Sequence, residues 1–203
     1  MATRLSRSEQ QELTRQRLLD AALGVFRQRG FARATIDEIA ELAGYTRGAF
    51  YSHFGSKEAA FVELLEVHSP ARFEAFRASI AQARSDDDIL HAIVVASVPP
   101  VADARGRLVD TVELTAHLVD NPELRQRALV LQEASEELLG WCAAEICRRR
   151  GRRLTSPQQY VGIGMLAFLT GLAQRLLLEP GLAVETHAVA GLRGLIESAS
   201  AEA

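Results

Sequence analysis

Residues 35 to 57, Thr-Ile-Asp-Glu-Ile-Ala-Glu-Leu-Ala-Gly-Tyr-Thr-Arg-Gly-Ala-Phe-Tyr-Ser-His-Phe-Gly-Ser-Lys, constrain the fold more than any other stretch of the chain. Thr35 and Glu38 have the spacing of a capping box, in which the hydroxyl accepts from the third helical N–H and the carboxylate reaches back to the Thr35 N–H. That starts a helix. Ile36, Ile39, Ala40 and Ala43 recur on one face of it, and Gly44 supplies the positive-φ residue that ends it. Thr46 caps a second helix, which buries Phe50 and Phe54 and shows Thr46, Arg47, Ala49 and Tyr51 elsewhere on its circumference. Two short helices joined by a turn of three or four residues containing glycine form a helix-turn-helix, whose second helix fits a DNA major groove.

The run Tyr-x-His-Phe-x-Ser-Lys closes this stretch at Tyr51, His53, Phe54, Ser56 and Lys57. With Thr35, Ile39, Ala40, Ala43, Gly44 and Gly48, it resembles the DNA-binding signature of the TetR/AcrR family of bacterial transcriptional regulators. The motif similarity covers about residues 10 to 68; beyond it, length and helical pattern alone extend the resemblance. Thr35 and Thr46, at helix N-termini, and Tyr51, His53 and Lys57 resemble the family's phosphate-anchoring positions. Arg47, at the exposed start of the second helix, has the geometry either to fork onto guanine O6 and N7 or to pair with a phosphate. Gly48 and Ala49 are small enough to bring the backbone near the groove floor, where the Ala49 methyl meets a thymine methyl. Tyr45 departs from the small aliphatic residue usual in the family's turn; it either touches the DNA backbone or covers the turn.

The chain has 203 residues, 48% hydrophobic, 24% charged and 6% aromatic, a composition that supports a globular core. The formal charge of -3 is unevenly spread. Residues 1–57 hold 9 Lys and Arg against 6 Asp and Glu, leaving 14 against 20 for residues 58–203. A basic head on an acidic body suits a phosphate-facing N-terminal domain, although an excess this small also arises by chance. Cys142 and Cys147 are the only cysteines, which indicates no disulfide framework and fits a reducing cytoplasm. No apolar signal segment opens the chain. The apolar run Val161 to Ala173 falls short of the roughly 20 residues that cross a bilayer, so no membrane partner is expected.

Helical signals continue along the chain. Ser8 and Gln11 predict a capping box for a first helix reaching about Arg29, ended by Gly30 with Phe31 as the apolar contact of a Schellman cap. Residues 1 to 7 read as a loose segment, with Arg4 and Arg7 as a candidate basic arm. Ser56 caps a fourth helix, which Ser69-Pro70 should kink or briefly interrupt before it resumes through Ile80. Ser85 to Asp88 opens a fifth helix that ends by Val98-Pro99-Pro100. A sixth runs from about Ala104 to Val119, with Leu108, Val112, Thr115 and Val119 on one face. Asn121-Pro122-Glu123 starts a long seventh helix to about Arg149. The arginines from Arg148 to Arg153 read either as cations complementing the helix C-terminus and then facing solvent, or as a second nucleic-acid patch. Ser156-Pro157 begins an eighth helix and a ninth spans about Val184 to Ala199. No strand pattern competes.

The expected architecture is therefore all-α, about nine helices: a three-helix helix-turn-helix domain over residues 1–56 and a helical ligand-binding and dimerisation domain over residues 57–203. The eighth helix is apolar almost all round, with small residues at Gly164, Ala167 and Gly171, so it must be covered on every side. It is either a central helix of one chain or half of a homodimer contact. The family resemblance, in which the last two helices form the dimer interface, favours the second and adds Leu192 and Leu195. It also implies a pocket for a small hydrophobic or amphipathic ligand, with Phe73, Phe76, His91, His117, Trp141, Cys142, Met165 and Phe168 as candidate lining residues; taken singly, each also reads as core. His91 and His117 have no carboxylate or cysteine at ligand spacing, so no metal or other cofactor is expected. No nucleophile-base-acid set or phosphate loop points to an enzyme. The expected function is a ligand-responsive repressor that binds double-stranded operator DNA as a homodimer in the cytoplasm; the alternative is a DNA-bound structural or protein-interaction module without an inducer.

Overall fold

Side-chain caps decide where the helices begin. In the computed structural model, which describes residues 6–97, 114–179 and 181–202, Ser6 and not Ser8 caps the first helix, α1 (Arg7–Arg29). The Ser6 hydroxyl accepts from the Glu9 N–H at 3.2 Å and the Glu9 carboxylate accepts from the Ser6 N–H at 2.7 Å. Both serines have an acceptor three residues on, and the carboxylate of Glu9 makes a stronger charge-assisted bond than the amide of Gln11. Arg7 is thus the first residue of α1, and Arg4 lies outside the described residues.

Gly30 ends α1 with φ 77° and ψ 167°, a left-side but extended backbone, so the expected Schellman cap is absent. Phe31 is buried nonetheless, its ring 5.8 Å from Phe26 and 5.0 Å from Phe61. Next come α2 (Ile36–Ala43), α3 (Arg47–Phe54) and α4 (Lys57–Gln82). The Ser56 hydroxyl caps α4 by accepting from the Ala59 N–H at 3.0 Å. Of the expected kink or brief interruption, the interruption is absent: α4 continues through Pro70. Proline removes one hydrogen bond, and buried Leu64 and Ile80 anchor the helix on either side of it.

In α5 (Asp86–Ser97) the Ser85 hydroxyl and Asp88 carboxylate form a reciprocal cap. The expected end of that helix and most of the next lie outside the described residues; a helical stretch at 114–119, α6, holds Thr115 and Val119. Asn121 Oδ1 accepts from the Leu124 N–H at 3.1 Å and starts α7 (Pro122–Arg149). The eighth helix, α8 (Gln158–Leu178), follows Pro157 with no side-chain cap, so Ser156 does not start it. The last is α9 (Val184–Ser198). Among the described residues, no helix is long and apolar enough to cross a membrane.

Two strands absent from the expectation are present. β1 (Arg152–Leu154) pairs antiparallel with β2 (Ser200–Glu202), Arg153 opposite Ala201. Of the arginines before and within β1, Arg153 is exposed, as a solvent-facing cation would be, and the other four are paired within the chain. Arg148 and Arg149 bond Glu145, Arg149 donates to the Ala83 and Ile80 carbonyls, Arg150 bonds Asp86 and Glu197, and Arg152 donates to the Ser200 carbonyl.

The architecture is all-α apart from that ribbon, and it divides into two compact units, Met1–His68 with Val109–Ala128 and Ser69–Leu108 with Leu129–Ala203. The first unit has its core in Leu18, Ala22, Phe31, Ile39, Phe50 and Leu64. Within it, Arg127 of α7 forks onto Glu66 of α4 at 2.8 and 2.6 Å. The second has its core in Ile80, Ile89, Ile93, Ile146, Met165, Leu169 and Leu192. There α7 and α8 touch backbone to backbone: a Cβ on Gly162 would overlap the Glu136 carbonyl, and one on Gly140 would overlap the Gln158 carbonyl.

Candidate nucleic-acid interface

Within the first unit, α2, α3, the turn between them and the start of α4 carry the residues expected to face DNA. Thr35 caps α2 as expected: its hydroxyl accepts from the Glu38 N–H at 3.2 Å and donates to the Glu38 carboxylate at 2.9 Å, which also accepts from the Thr35 N–H at 3.1 Å. These Thr35 bonds hold the Glu38 carboxyl below its ordinary range. Gly44 adopts φ 75°, ψ 28°, the left-handed conformation. The Gly44 N–H reaches the Glu41 carbonyl at 3.0 Å and the Tyr45 N–H the Ala40 carbonyl at 2.8 Å, so the Schellman motif stands here. Tyr45 covers this turn, packing on the head core with its hydroxyl accepting from Thr14 Oγ1 at 3.3 Å.

Thr46 then starts α3, its hydroxyl accepting from the Ala49 N–H at 3.2 Å. Phe50 and Phe54 are buried, leaving Thr46, Arg47, Gly48 and Tyr51 exposed and Ala49 half-buried. Arg47 donates from Nη2 to the Tyr51 hydroxyl at 3.3 Å and from Nη1 to Asp37 at 2.9 Å, and stacks 5.5 Å above the Tyr51 ring. The Tyr51 bond first, and the Asp37 charge next, hold Arg47 in its charged form. Half-buried His53 accepts at its carbonyl from Arg15 at 2.8 Å. Lys57 lies 4.4 Å over the Phe31 ring and donates to the Phe31 and Ala34 carbonyls at 2.9 and 3.2 Å.

A depression of about 420 Å³ brings Thr35, Arg47, Tyr51 and Lys57 together with Asp37 and Ser56. Tyr45, Thr46, Gly48, Ala49 and His53 lie outside its lining. Nothing in the sequence pattern marks the contacts of Asp37 with Arg47 or of Arg15 with Glu63 and His53. Asp37 shares no helical period with Arg47, ten residues on, and Arg15 meets its partners only through the packing of α1.

The body candidates are dispersed. Cys142 and Met165 are wholly buried core residues, with half-buried Phe76, Trp141 and Phe168 packed on the same core. Burial pushes the Cys142 thiol up to about 12. Arg77 lies 4.8 Å over the Trp141 ring, and half-buried Phe73 lies under Arg72. His91 is exposed and bonds Glu185 at 2.8 Å, and His117 is exposed in the first unit. A second depression of about 420 Å³, between the end of α8 and the start of α9, is lined by Leu172, Arg175, Leu182, Ala183 and His187 among others, and by none of the eight.

On α8, a Cβ at Gly164 or Gly171 would meet nothing among the described residues, and Ala167 is exposed beside them. Tyr160 and Ile163, 66% and 39% exposed, fall on the same helical face. On α9, Leu192 is spent inside the chain's own core and Leu195 is half-buried against it.

Residues 18–64 match the family model described as bacterial regulatory proteins, tetR family. The HTH-type transcriptional regulator TtgR of Pseudomonas putida is 31% identical over 184 residues, spanning 87% of this chain and 86% of TtgR. Thermus thermophilus FadR, a TetR family transcriptional repressor solved in complex with lauroyl-CoA, is 25% identical with a TM-score of 0.63, over 90% of this chain and 93% of that one. A TetR family regulator from Cytophaga hutchinsonii has a TM-score of 0.65 at 20% identity, over 99% of this chain and 100% of that one. The α1–α3 head, its capped second helix and these matches agree, and the chain belongs to the tetR family of bacterial regulatory proteins and is a transcriptional regulator.

Proposed function

We propose that the protein is a repressor that binds a pseudo-palindromic operator as a homodimer and leaves it when a small amphipathic ligand enters the body. The observation that carries this reading is the exposed start of α3, where Arg47 projects beside Thr46 and Gly48 while Phe50 and Phe54 fasten the opposite face. Arg47 is the base reader, and Thr35, Thr46, Tyr51, His53 and Lys57 hold the phosphates. Two copies of α3, about 34 Å apart, enter successive major grooves. The apolar stripe Tyr160, Ile163, Gly164, Ala167 and Gly171 supports pairing of α8 with a second copy, since a face this apolar and this open calls for cover.

Release requires a ligand that favours the DNA-incompetent state. The lauroyl-CoA complex of the FadR relative makes long-chain acyl thioesters the first class to try. A ligand that displaces α4 would carry α3 with it, because Arg15 bonds both Glu63 of α4 and the His53 carbonyl. The test is selection of duplexes from random DNA, sizing of the complex, and titration with acyl-CoAs of graded length. A symmetric site holding two chains and released by one chain length supports the reading; an enriched site occupied by single chains contradicts the dimer. A regulator with no inducer is the second reading, favoured by the complete burial of Cys142 and Met165 in the core. Retention of DNA across a broad compound library would select it.

A further inference from the structure

Asp37 stands where a DNA-facing surface would be expected to carry no negative charge. It lines the same depression as Arg47, Tyr51 and Lys57, its carboxylate 2.9 Å from Arg47 Nη1. The two side chains are 65% and 58% exposed, so the pair contributes little to stability. Nor is Asp37 needed to start α2, because Thr35 and Glu38 already complete the capping box.

Its chemistry differs between the two kinds of DNA surface. A phosphate offers only acceptors and negative charge, so an Arg47 that pairs with phosphate either abandons Asp37 or brings a carboxylate against a like charge. A base edge in the major groove offers both kinds of partner: guanine O6 and N7 accept, and the cytosine N4 amino group donates. Arg47 uses one N–H on Asp37 and one on Tyr51, leaving a second N–H on each terminal nitrogen for a guanine. Asp37 keeps an oxygen for a cytosine amino group.

We propose that Asp37 is a specificity-determining residue, holding the Arg47 fork off phosphate and reading, together with Arg47, a guanine and a neighbouring cytosine as one unit. This rests on the DNA-binding reading above.

The test compares the full-length wild type with Asp37→Asn and Asp37→Ala. Each chain selects duplexes from a random library, then is titrated by fluorescence anisotropy against the wild-type-selected duplex and a scrambled duplex over a range of salt, with unfolding midpoints measured alongside. The expected result is tighter binding of scrambled DNA by both variants and a roughly tenfold fall in the selected-over-scrambled ratio. The preference for guanine and cytosine at one position per half-site weakens, and the salt dependence on scrambled DNA steepens by about one unit. A wild-type motif that both variants select with an unchanged ratio overturns the inference. So does a parallel loss of affinity for both duplexes in Asp37→Asn, which would make Asp37 a structural support. A wild type that enriches no motif instead overturns the DNA-binding reading itself.

Discussion

Arg15 of α1 forks onto Glu63 of α4, Nε to Oε1 at 2.8 Å and Nη2 to Oε2, while its Nη1 donates to the last turn of α3 and its guanidinium lies 4.9 Å over Phe54. One side chain thereby ties three helices of the head. Bidentate charge-assisted bonds to a carboxylate this sheltered outweigh an ordinary surface pair. Arg15→Ala should cost about 1–3 kcal/mol of stability and Glu63→Gln less. Urea unfolding followed by circular dichroism measures both, and DNA affinity should fall further in Arg15→Ala, since the end of α3 is released as well.

The glycines of the body separate into two kinds. Gly162→Ala drives a methyl into the Glu136 carbonyl and should destabilise the protein by about 1–3 kcal/mol or more. Gly171→Ala meets nothing among the described residues and should leave the chain's own stability unchanged or raise it by up to about 1 kcal/mol. A bulkier Gly171→Leu should shift the sedimentation equilibrium toward single chains if α8 faces a second copy.

Glu145 accepts from Arg148 and Arg149, and these bonds hold its carboxyl down from an ordinary 4.5 to about 2. A depressed carboxylate contributes stability that is fully present above its unfolded value and is lost as pH falls through its folded one. Glu145→Gln should therefore be less stable than wild type at pH 7, with the difference shrinking between about pH 4.5 and 2. Thermal unfolding across that range tests it; a constant difference would contradict the role given to the pair.

Cys142, buried and with its thiol pushed up to about 12, should resist thiol reagents at pH 8 in the folded protein. Its labelling rate should track global unfolding in urea. Prompt labelling without denaturant would show that this core opens.

What the sequence revealed was local chemistry. Thr35 with Glu38, Gly44, Thr46 and Asn121 each act within a few residues, so their spacing alone placed the helix ends. Ser6 and Ser8 both satisfy the same pattern, and the choice between them turns on the acid at Glu9. Contacts that join distant segments left no periodic trace. Gly140 and Gly162 matter because α7 and α8 meet there, and neither stands out within its own helix. β1 and β2 pair across some fifty residues of chain with no alternation of apolar and polar side chains to announce them. Arg149 has the sequence pattern of a solvated cation and instead closes the carbonyl end of α4. Four of the head's candidates, Thr35, Arg47, Tyr51 and Lys57, line one depression, while the body's candidates, named largely by resemblance, scatter between core and surface.

The central claim, that the exposed start of α3 reads DNA, is tested most directly by the affinity of Arg47→Ala for a duplex selected by the wild type. A loss of about 10- to 100-fold, with relaxed preference at one position per half-site and an unchanged unfolding midpoint, is the predicted result. Unchanged affinity and unchanged preference would contradict it.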